Sequence, residues 1–318
     1  MRWEPLEGAI VPLVTPFEDA TALDLKPFGD LVDFVVREGA DALMPTALSG
    51  EGPLLDEAET VAVWEAVFAL AAARLPVIPA IISFTTRRAV ALAREAERLG
   101  ARAIMLAPLV PELYAGRSEK DVIGFYSEVA EATALPIILF NYPSLTGVDL
   151  VPPLVARLSA IGSVRAIKDS TADSRRVHAI QRLTGDGFQV VCGSPNAALE
   201  SLALGCRAWI TGLMNVVPRS ASQLLRAVHV ARDLGLARRI YFEQILPLVD
   251  VMAATHNPTG TLKAGLLARG VAVGAPRRPG QPVDATEQAW IARLVAEIAR
   301  AEIETDKALD LRSAGGSR

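Results

Sequence analysis

Cysteine and histidine are scarce in this chain of 318 residues, and the few that occur lie far apart. The two cysteines, Cys192 and Cys206, each stand inside an apolar run without the close spacing of a metal or redox motif. We interpret both as small buried hydrophobic residues. The three histidines, His178, His229 and His256, match no metal-ligand spacing. We therefore predict no metal site, and we expect no cofactor.

Long apolar runs and clusters of positive charge are also missing. The formal net charge is -4, and no run of lysine and arginine is long enough to contact a phosphate backbone, so nucleic acid is not an expected partner. No stretch approaches the roughly 18 uninterrupted apolar residues of a membrane-spanning helix. Residues 1–5 lack the charged-then-apolar pattern of a secretion signal. We expect a cytoplasmic protein without a membrane partner.

Apolar residues are abundant, at 51% of the chain, and can form a large core. Short β-branched or apolar runs alternate with longer segments of helical period, which is typical of parallel βαβ units. The eight predicted strands are residues 9–14, 42–46, 77–82, 103–107, 137–141, 164–168, 189–192 and 208–211. This count predicts an α/β fold, a (β/α)8 TIM barrel, over residues 1–234.

Amphipathic stretches, such as residues 87–99, separate the predicted strands and supply the outer helices. Gly39, Gly100 and Gly205 each stand between such a stretch and the next strand. A glycine in the left-handed conformation commonly ends a helix at this point. The recurrence of a glycine between helix and strand at three places supports a repeated βα unit.

Helical patterning continues after the eighth strand, at residues 219–233, 236–255 and 285–301, with a connector rich in proline and glycine at residues 274–282. The last two patterns exceed what barrel closure needs. We expect a small C-terminal helical extension over residues 235–306 and a frayed tail over residues 307–318.

Lysine is rare, with five lysines among the 32 lysine and arginine residues. Lys168 ends the sixth predicted strand, and barrel enzymes build their active sites at the C-terminal ends of the strands. Unlike an arginine, a lysine in a desolvated pocket has a lowered pKa and can attack a ketone to form an imine. The alternative is a structural lysine paired with Asp169 or another carboxylate. The local sequence leaves both possibilities open.

Polar and aromatic residues follow three of the predicted strands. The segment Ser49-Gly50-Glu51 follows the second strand, where backbone amides and a hydroxyl could hold a carboxylate. Phe140 and Tyr142 stand two residues apart at the end of the fifth strand, so their rings should point to the same side. We expect packing for Phe140 and consider proton transfer for the phenol of Tyr142. Asp173, after the sixth strand, is a candidate N-cap.

Taken together, these residues resemble the dihydrodipicolinate synthase and N-acetylneuraminate lyase family, from about residue 8 to about residue 282. The motifs that carry the resemblance, in order, are the opening strand at residues 8–17, Ser49-Gly50-Glu51, Ile167-Lys168-Asp169-Ser170 and Asn215-Val216-Val217-Pro218. Their order and barrel spacing are more specific than any single motif.

The resemblance implies a function and a set of site residues. Lys168 would form a Schiff base with pyruvate or another 2-oxo acid. Ser49 would hold the carboxylate of that acid. The protonated imine would give an enamine, to which an aldehyde is added or from which one is released. A homotetramer built as a dimer of dimers is also implied. The substrate pocket would include Leu48, Ser49, Gly50, Gly193 and Ile210.

Several positions depart from the family pattern. The family's catalytic tyrosine on strand five falls on Phe140, and one threonine of its Gly-Thr-Thr-Gly-Glu loop falls on Leu48. A further tyrosine after strand four is replaced in the stretch Pro108-Leu109-Val110. The arginine that binds the second substrate's carboxylate falls on Leu145, so the bidentate clamp is missing there.

These departures argue against dihydrodipicolinate synthesis. We expect a divergent aldolase or dehydratase that acts on a 2-oxo acid, with an apolar or aromatic aldehyde part. Tyr142 or an ordered water would replace the missing phenol. Two other hypotheses stay open: a catalytically silent 2-oxo acid binding protein on the same barrel, and an enzyme that cleaves or dehydrates a sugar acid, because a fold does not fix a function.

Overall fold

Eight parallel strands form the main sheet of the computed structural model, which describes residues 3–71, 74–108 and 118–315. A short antiparallel hairpin, Phe17–Glu18 (β2) and Ala22–Leu23 (β3), follows the first strand. All eight predicted strands are confirmed, with small differences at their ends. The strands of the main sheet are Gly8–Val11 (β1), Ala42–Leu43 (β4), Ala80–Ser83 (β5), Ile104–Pro108 (β6), Ile137–Asn141 (β7), Val164–Asp169 (β8), Gln189–Cys192 (β9) and Ala208–Ile210 (β10).

Hydrogen bonds close this sheet into a barrel. The strands follow one another in the order β4, β1, β10, β9, β8, β7, β6, β5, so β4 and β5 are the two ends. A parallel bridge between Leu43 and Val77 joins these ends, and the Ile78 amide donates to the Leu43 carbonyl at 2.8 Å. The predicted (β/α)8 barrel is confirmed.

Helices surround the barrel. Gly39, Gly100 and Gly205 have φ angles of 97°, 83° and 105° after three of these helices, which confirms the predicted left-handed helix ends. The helices are Phe28–Arg37 (α1), Glu57–Ala71 (α2), Thr86–Arg98 (α3), Glu119–Ala132 (α4), Pro143–Thr146 (α5), Pro152–Leu158 (α6), Arg175–Thr184 (α7), Ala198–Ala203 (α8) and Pro218–His229 (α9).

Two apolar layers lie on the two faces of the strands. Ala166 belongs to the layer inside the barrel and Ile167 to the layer under the helices. Because successive side chains of a strand point to opposite faces, Lys168 points inward like Ala166. The inner layer also contains Ile10, Met44, Ile82, Met105, Ala107, Ile138, Phe140, Val191 and Ile210. It is a packed core, above which the C-terminal strand ends carry the functional side chains.

A helical extension follows α9. Its helices are Leu234–Ile240 (α10), Leu246–Ala254 (α11), Pro258–Ala268 (α12) and Ala285–Gly315 (α13), with a π-helical turn at Tyr241–Ile245 between the first two. The helix α12 was not predicted, because its glycines and threonines do not produce a clear apolar stripe. The frayed tail predicted from residue 307 is wrong at its start, because α13 continues to Gly315 and buries Leu309 at 3% exposure.

Two helix ends differ from their prediction. The helix predicted to continue to residue 233 ends at His229, because Asp233 caps α10 by accepting a hydrogen bond from the Leu236 amide at 2.8 Å. The N-cap of α7 is Ser174 rather than Asp173. Asp173 instead accepts a hydrogen bond from the Arg175 amide at 3.1 Å and forms an ion pair with the Arg175 guanidinium.

Candidate active site

Lys168 lies near the C-terminal end of β8, inside the mouth of the barrel. It stands beside Phe140 of β7 and Val191 of β9 in the strand register, and both of these residues belong to the inner layer. Its side chain is 8% exposed, and its Nζ lies 4.3 Å from the centroid of the Phe140 ring. The amine therefore sits against an apolar wall at the end of the barrel where substrates bind.

The Lys168 amine forms no ion pair or hydrogen bond with the residues that the structure describes. Burial lowers its pKa to about 8, while the neighbouring Cys192 acts weakly in the opposite direction. Removing an ammonium from water without a counter-ion disfavours the charged form. Near neutral pH the amine is thus neutral for part of the time, as a nucleophile must be.

Asp169, the candidate structural partner of Lys168, lies on the other face of the strand and is engaged elsewhere. Its Oδ2 accepts from Arg176 Nε at 2.9 Å and from Asn141 Nδ2 at 3.1 Å. Its Oδ1 accepts from the Thr171 amide at 2.9 Å and from the Thr171 hydroxyl. These bonds overturn the alternative that Asp169 neutralises Lys168.

Lys263 is a second buried lysine, and its surroundings are the opposite of those of Lys168. Its Nζ donates to the carbonyls of Thr15 and Ala275 at 2.8 Å each and pairs with Glu51 Oε1 at 2.9 Å. Burial lowers its pKa, and the Glu51 carboxylate acts against that effect. Two hydrogen bonds and an ion pair thus hold this ammonium, which indicates a structural amine.

The loop after β4 carries the predicted carboxylate-binding residues and is tightly wound. The Thr15 hydroxyl donates to the Gly50 carbonyl at 2.6 Å. A Cβ on Gly50 would lie 2.5 Å from the Leu13 carbonyl oxygen, so only glycine fits there. Ser49 is partly exposed, and its Oγ lies 2.6 Å from where a Cβ on Gly212 would stand. The absence of that Cβ lets Ser49 approach the end of β10.

The predicted wall residues occupy the strand ends around Lys168. Leu48 packs against the inner layer, to which Ile210 of β10 belongs at 0% exposure. Gly193 follows β9, where its amide donates to the Asp169 carbonyl at 2.9 Å. A Cβ there would lie 2.6 Å from that same oxygen, so glycine is required.

The two aromatic residues at the end of β7 comprise one buried and one exposed ring. Phe140 is 2% exposed and Tyr142 is 39% exposed, and their ring centroids are 6.4 Å apart. Leu145, where the family pattern has an arginine, is 45% exposed in α5. Leu109 and Val110, in the stretch after strand four, lie outside the described residues.

A family model described as the dihydrodipicolinate synthetase family matches residues 5–298. The chain belongs to this family. The 4-hydroxy-tetrahydrodipicolinate synthase of Geobacter metallireducens is 31% identical over 291 residues, which is 92% of this chain and 98% of that one. The enzyme of the same name from Trichlorobacter lovleyi is 32% identical with the same coverage. A solved structure from Pseudomonas aeruginosa, assigned as a dihydrodipicolinate synthetase, has a TM-score of 0.87 at 32% identity and covers 92% of this chain and 100% of that one.

Membership of the dihydrodipicolinate synthetase family makes the chain a lyase of the class I aldolase type. No helix of the described part is long and apolar enough to cross a membrane. Among the described residues, no group of three or more histidine, cysteine or acidic side chains could hold a metal ion.

Three polar residues with several hydrogen bonds or ion pairs were not singled out from the sequence. Asn141 is fully buried and donates to Asp149 and Asp169, and Arg176 pairs with the same two carboxylates. Asn141 ends a predicted strand, and this position could have indicated it as a candidate residue, because barrel sites are built at the C-terminal strand ends. Lys263 could have been noticed as one of the five lysines, but it lies in the helix that was not predicted.

Proposed function

We propose that this protein forms a Schiff base between Lys168 and pyruvate or a similar 2-oxo acid, and uses the resulting enamine to form or cleave a bond to an aldehyde carbon. The observation that carries the proposal is the buried Lys168 amine, which has no counter-ion among the described residues and lies at the catalytic end of the barrel. Burial lowers its pKa to about 8, so a neutral nucleophile exists near physiological pH.

The chemistry needs an amine that is neutral when it attacks and an imine that is charged afterwards. Lys168 Nζ attacks the ketone carbon, and the carbinolamine loses water to give a protonated imine. That cation draws electrons from the adjacent carbon, which loses a proton and becomes the nucleophilic carbon of an enamine. The Phe140 ring face, 4.3 Å from Nζ, favours a cation there without neutralising it.

The loop after β4 supports recognition of the substrate carboxylate. Ser49 supplies a hydroxyl, and consecutive amides of such a wound loop can act as an anion-binding nest. The close approach of Ser49 to Gly212 sets this hydroxyl at the end of β10, on the same rim of the barrel as Lys168. We assign carboxylate binding to Ser49 and the Gly50 backbone.

The substrate partner differs from that of a true dihydrodipicolinate synthase in this proposal, although the relatives carry that activity in their names. Phe140 and Leu48 bring no hydroxyl to the site, and both pack with the apolar inner layer. Leu145 offers no positive charge to a carboxylate. An uncharged apolar or aromatic aldehyde fits these side chains best, and Tyr142 or a water would carry the proton.

Reduction with borohydride in the presence of pyruvate tests the imine. We expect a covalent adduct on the peptide that contains Lys168, and none in the Lys168→Arg variant. Lys263 serves as an internal control and should stay unlabelled, because two hydrogen bonds and an ion pair with Glu51 hold its ammonium. No adduct in the wild type would contradict the proposal. If pyruvate then still raised the melting temperature of both proteins, the silent binding protein would be favoured.

Product analysis with a panel of aldehydes tests the partner. We expect turnover with apolar or aromatic aldehydes and little with aldehydes that carry a carboxylate. Preference for the carboxylate-bearing aldehydes would show that a clamp exists elsewhere. We also propose the homotetramer of the family for this chain, and light scattering of the purified protein measures it directly.

A further inference from the structure

The C-terminal extension reaches the carboxylate-binding loop through a buried ion pair. Lys263 of α12 is 4% exposed and pairs with Glu51, which is 6% exposed and directly follows Gly50. The other Glu51 oxygen, Oε2, accepts from the Arg277 amide at 2.8 Å. Both ends of the Glu51 carboxylate are thus held by residues more than 200 positions later in the chain.

The same lysine also contacts the loop indirectly, through Thr15. Lys263 Nζ donates to the Thr15 carbonyl, and the Thr15 hydroxyl donates to the Gly50 carbonyl. Gly50 and Glu51 are therefore each connected to Lys263, one through Thr15 and one directly. Lys263 is thus linked at two points to the segment that carries the predicted carboxylate-binding residues.

The loop needs such support because its backbone is strained. Thr46 and Glu51 have φ angles of 60° and 56°, in the left-handed region that residues with side chains seldom adopt. Gly52 lies so close to the Thr46 carbonyl that a Cβ would stand 1.9 Å from its oxygen. Strained residues of this kind persist only where the surrounding structure fixes them.

We propose that Lys263 and Glu51 are positioning residues for substrate recognition: their ion pair fixes the loop so that Ser49 and the backbone around Gly50 bind the carboxylate of the 2-oxo acid. This inference rests on the proposed function. Lys263 has a second effect, because it neutralises a carboxylate that would otherwise repel an anionic substrate from the neighbouring residue. Neither residue contacts the reacting atoms.

The test compares saturation with pyruvate in the wild type and in the variants Glu51→Gln and Lys263→Met. The measured quantity is the pyruvate concentration that gives half-maximal borohydride trapping at Lys168. We expect it to rise about tenfold or more in both variants, because displacement of Ser49 and the Gly50 backbone would weaken charge-assisted hydrogen bonds to the substrate carboxylate, which are roughly twice as strong as neutral ones. The trapping rate at saturating pyruvate should change by less than about threefold, the sign of lost binding rather than lost chemistry.

The variant Glu302→Gln provides a matched control for a merely structural role. Glu302 is 2% exposed and pairs at 2.9 Å with Arg269, whose side chain is 11% exposed. This pair is also largely buried, but it joins α13 to the end of α12 and does not involve the loop after β4. We expect similar destabilisation and an unchanged half-saturating concentration. A similar rise in Glu302→Gln, or no rise in Glu51→Gln and Lys263→Met, would overturn the positioning role.

Two further measurements keep the inference testable if a variant folds poorly or trapping fails. Lys263→Arg retains the positive charge and should recover at least part of the affinity lost in Lys263→Met; no recovery would count against the ion pair. If the wild type forms no adduct, the proposed function fails, and calorimetric binding of pyruvate then replaces trapping. Weaker binding in Glu51→Gln than in Glu302→Gln would still support the loop's role, whereas equal binding would refute it.

Discussion

The Lys168 amine should react with 2-oxo acids over a pH range in which most lysines stay charged. Its pKa is lowered to about 8 from the ordinary lysine value of 10.5. We expect the initial rate of pyruvate trapping to rise about tenfold per pH unit below this pKa and to level off above it. Cyanoborohydride trapping between about pH 6 and pH 10 measures this profile. A rate that kept rising to pH 10 would show an unshifted amine.

The same shift predicts that Lys168 lowers the stability of the fold. The folded pKa of about 8 is below the unfolded value of 10.5, so the unfolded state binds more protons at intermediate pH. The penalty is absent above pH 10.5, grows as the pH falls between these two values, and is complete below about pH 8.

Replacing Lys168 with methionine should therefore stabilise the protein at pH 7. At about 1.4 kcal/mol per pKa unit, lowering the pKa from 10.5 to about 8 corresponds to a gain in the free energy of unfolding on the order of 3 kcal/mol. Urea denaturation at pH 7 and at about pH 10 measures it, and the gain should shrink at the higher pH. Lys26→Met, at an exposed position, serves as the control and should change stability by less than about 0.5 kcal/mol. A destabilised Lys168→Met would mean that the charged amine has a stabilising partner.

Among the elements, a polar network connects the C-terminal ends of β7 and β8 to α7. Arg176 donates to Asp169, Asp149 and the Leu150 carbonyl, and Asn141 donates to the same two carboxylates. The Arg176 and Asp169 side chains are 12% and 9% exposed. Breaking one partner of a buried pair leaves an uncompensated charge, which is strongly destabilising.

The variant Arg176→Met should therefore lower the free energy of unfolding by about 3 kcal/mol or more. Arg175→Met is the matched control on the next residue, because Arg175 pairs with Asp173 on the surface, where its side chain is 83% exposed. We expect less than about 1 kcal/mol from that change. Equal effects in urea denaturation of the two variants would show that the buried network adds nothing to stability.

Strands and helices differ in how well the sequence predicted them. Each barrel strand is a short apolar run between punctuating residues, and β7 and β9 were predicted to the residue. By contrast, α12 contains the buried residues Gly260, Thr261 and Gly265, and a Cβ on Gly265 would lie 2.7 Å from the Val216 side chain. Small residues chosen for close packing do not produce an apolar stripe, so the local pattern could not reveal this helix.

In the molecule as a whole, the candidate site residues show the same contrast between features set by the local sequence and features set by distant contacts. Lys168 could be singled out because its proposed role follows from a strand end and from the chemistry of one amine. Lys263 was not, because its proposed role depends on Glu51, which is 212 positions away and reaches it only through closure of the barrel and docking of the extension. Local periodicity carries no information about a contact of this range.

The contacts between barrel and extension predict that the two parts unfold together, despite the boundary that the sequence suggests near residue 234. Ser220 and Gln223 of α9 donate to Glu302 of α13 at 2.8 Å and 2.7 Å, and Lys263 connects α12 to the loop after β4. We expect calorimetry to show one cooperative transition, because buried polar groups on each side would lose their partners if one part opened alone. Two separate transitions would instead define the extension as an independent domain. In that case Lys263 could not fix the active-site loop at temperatures where the extension had already opened.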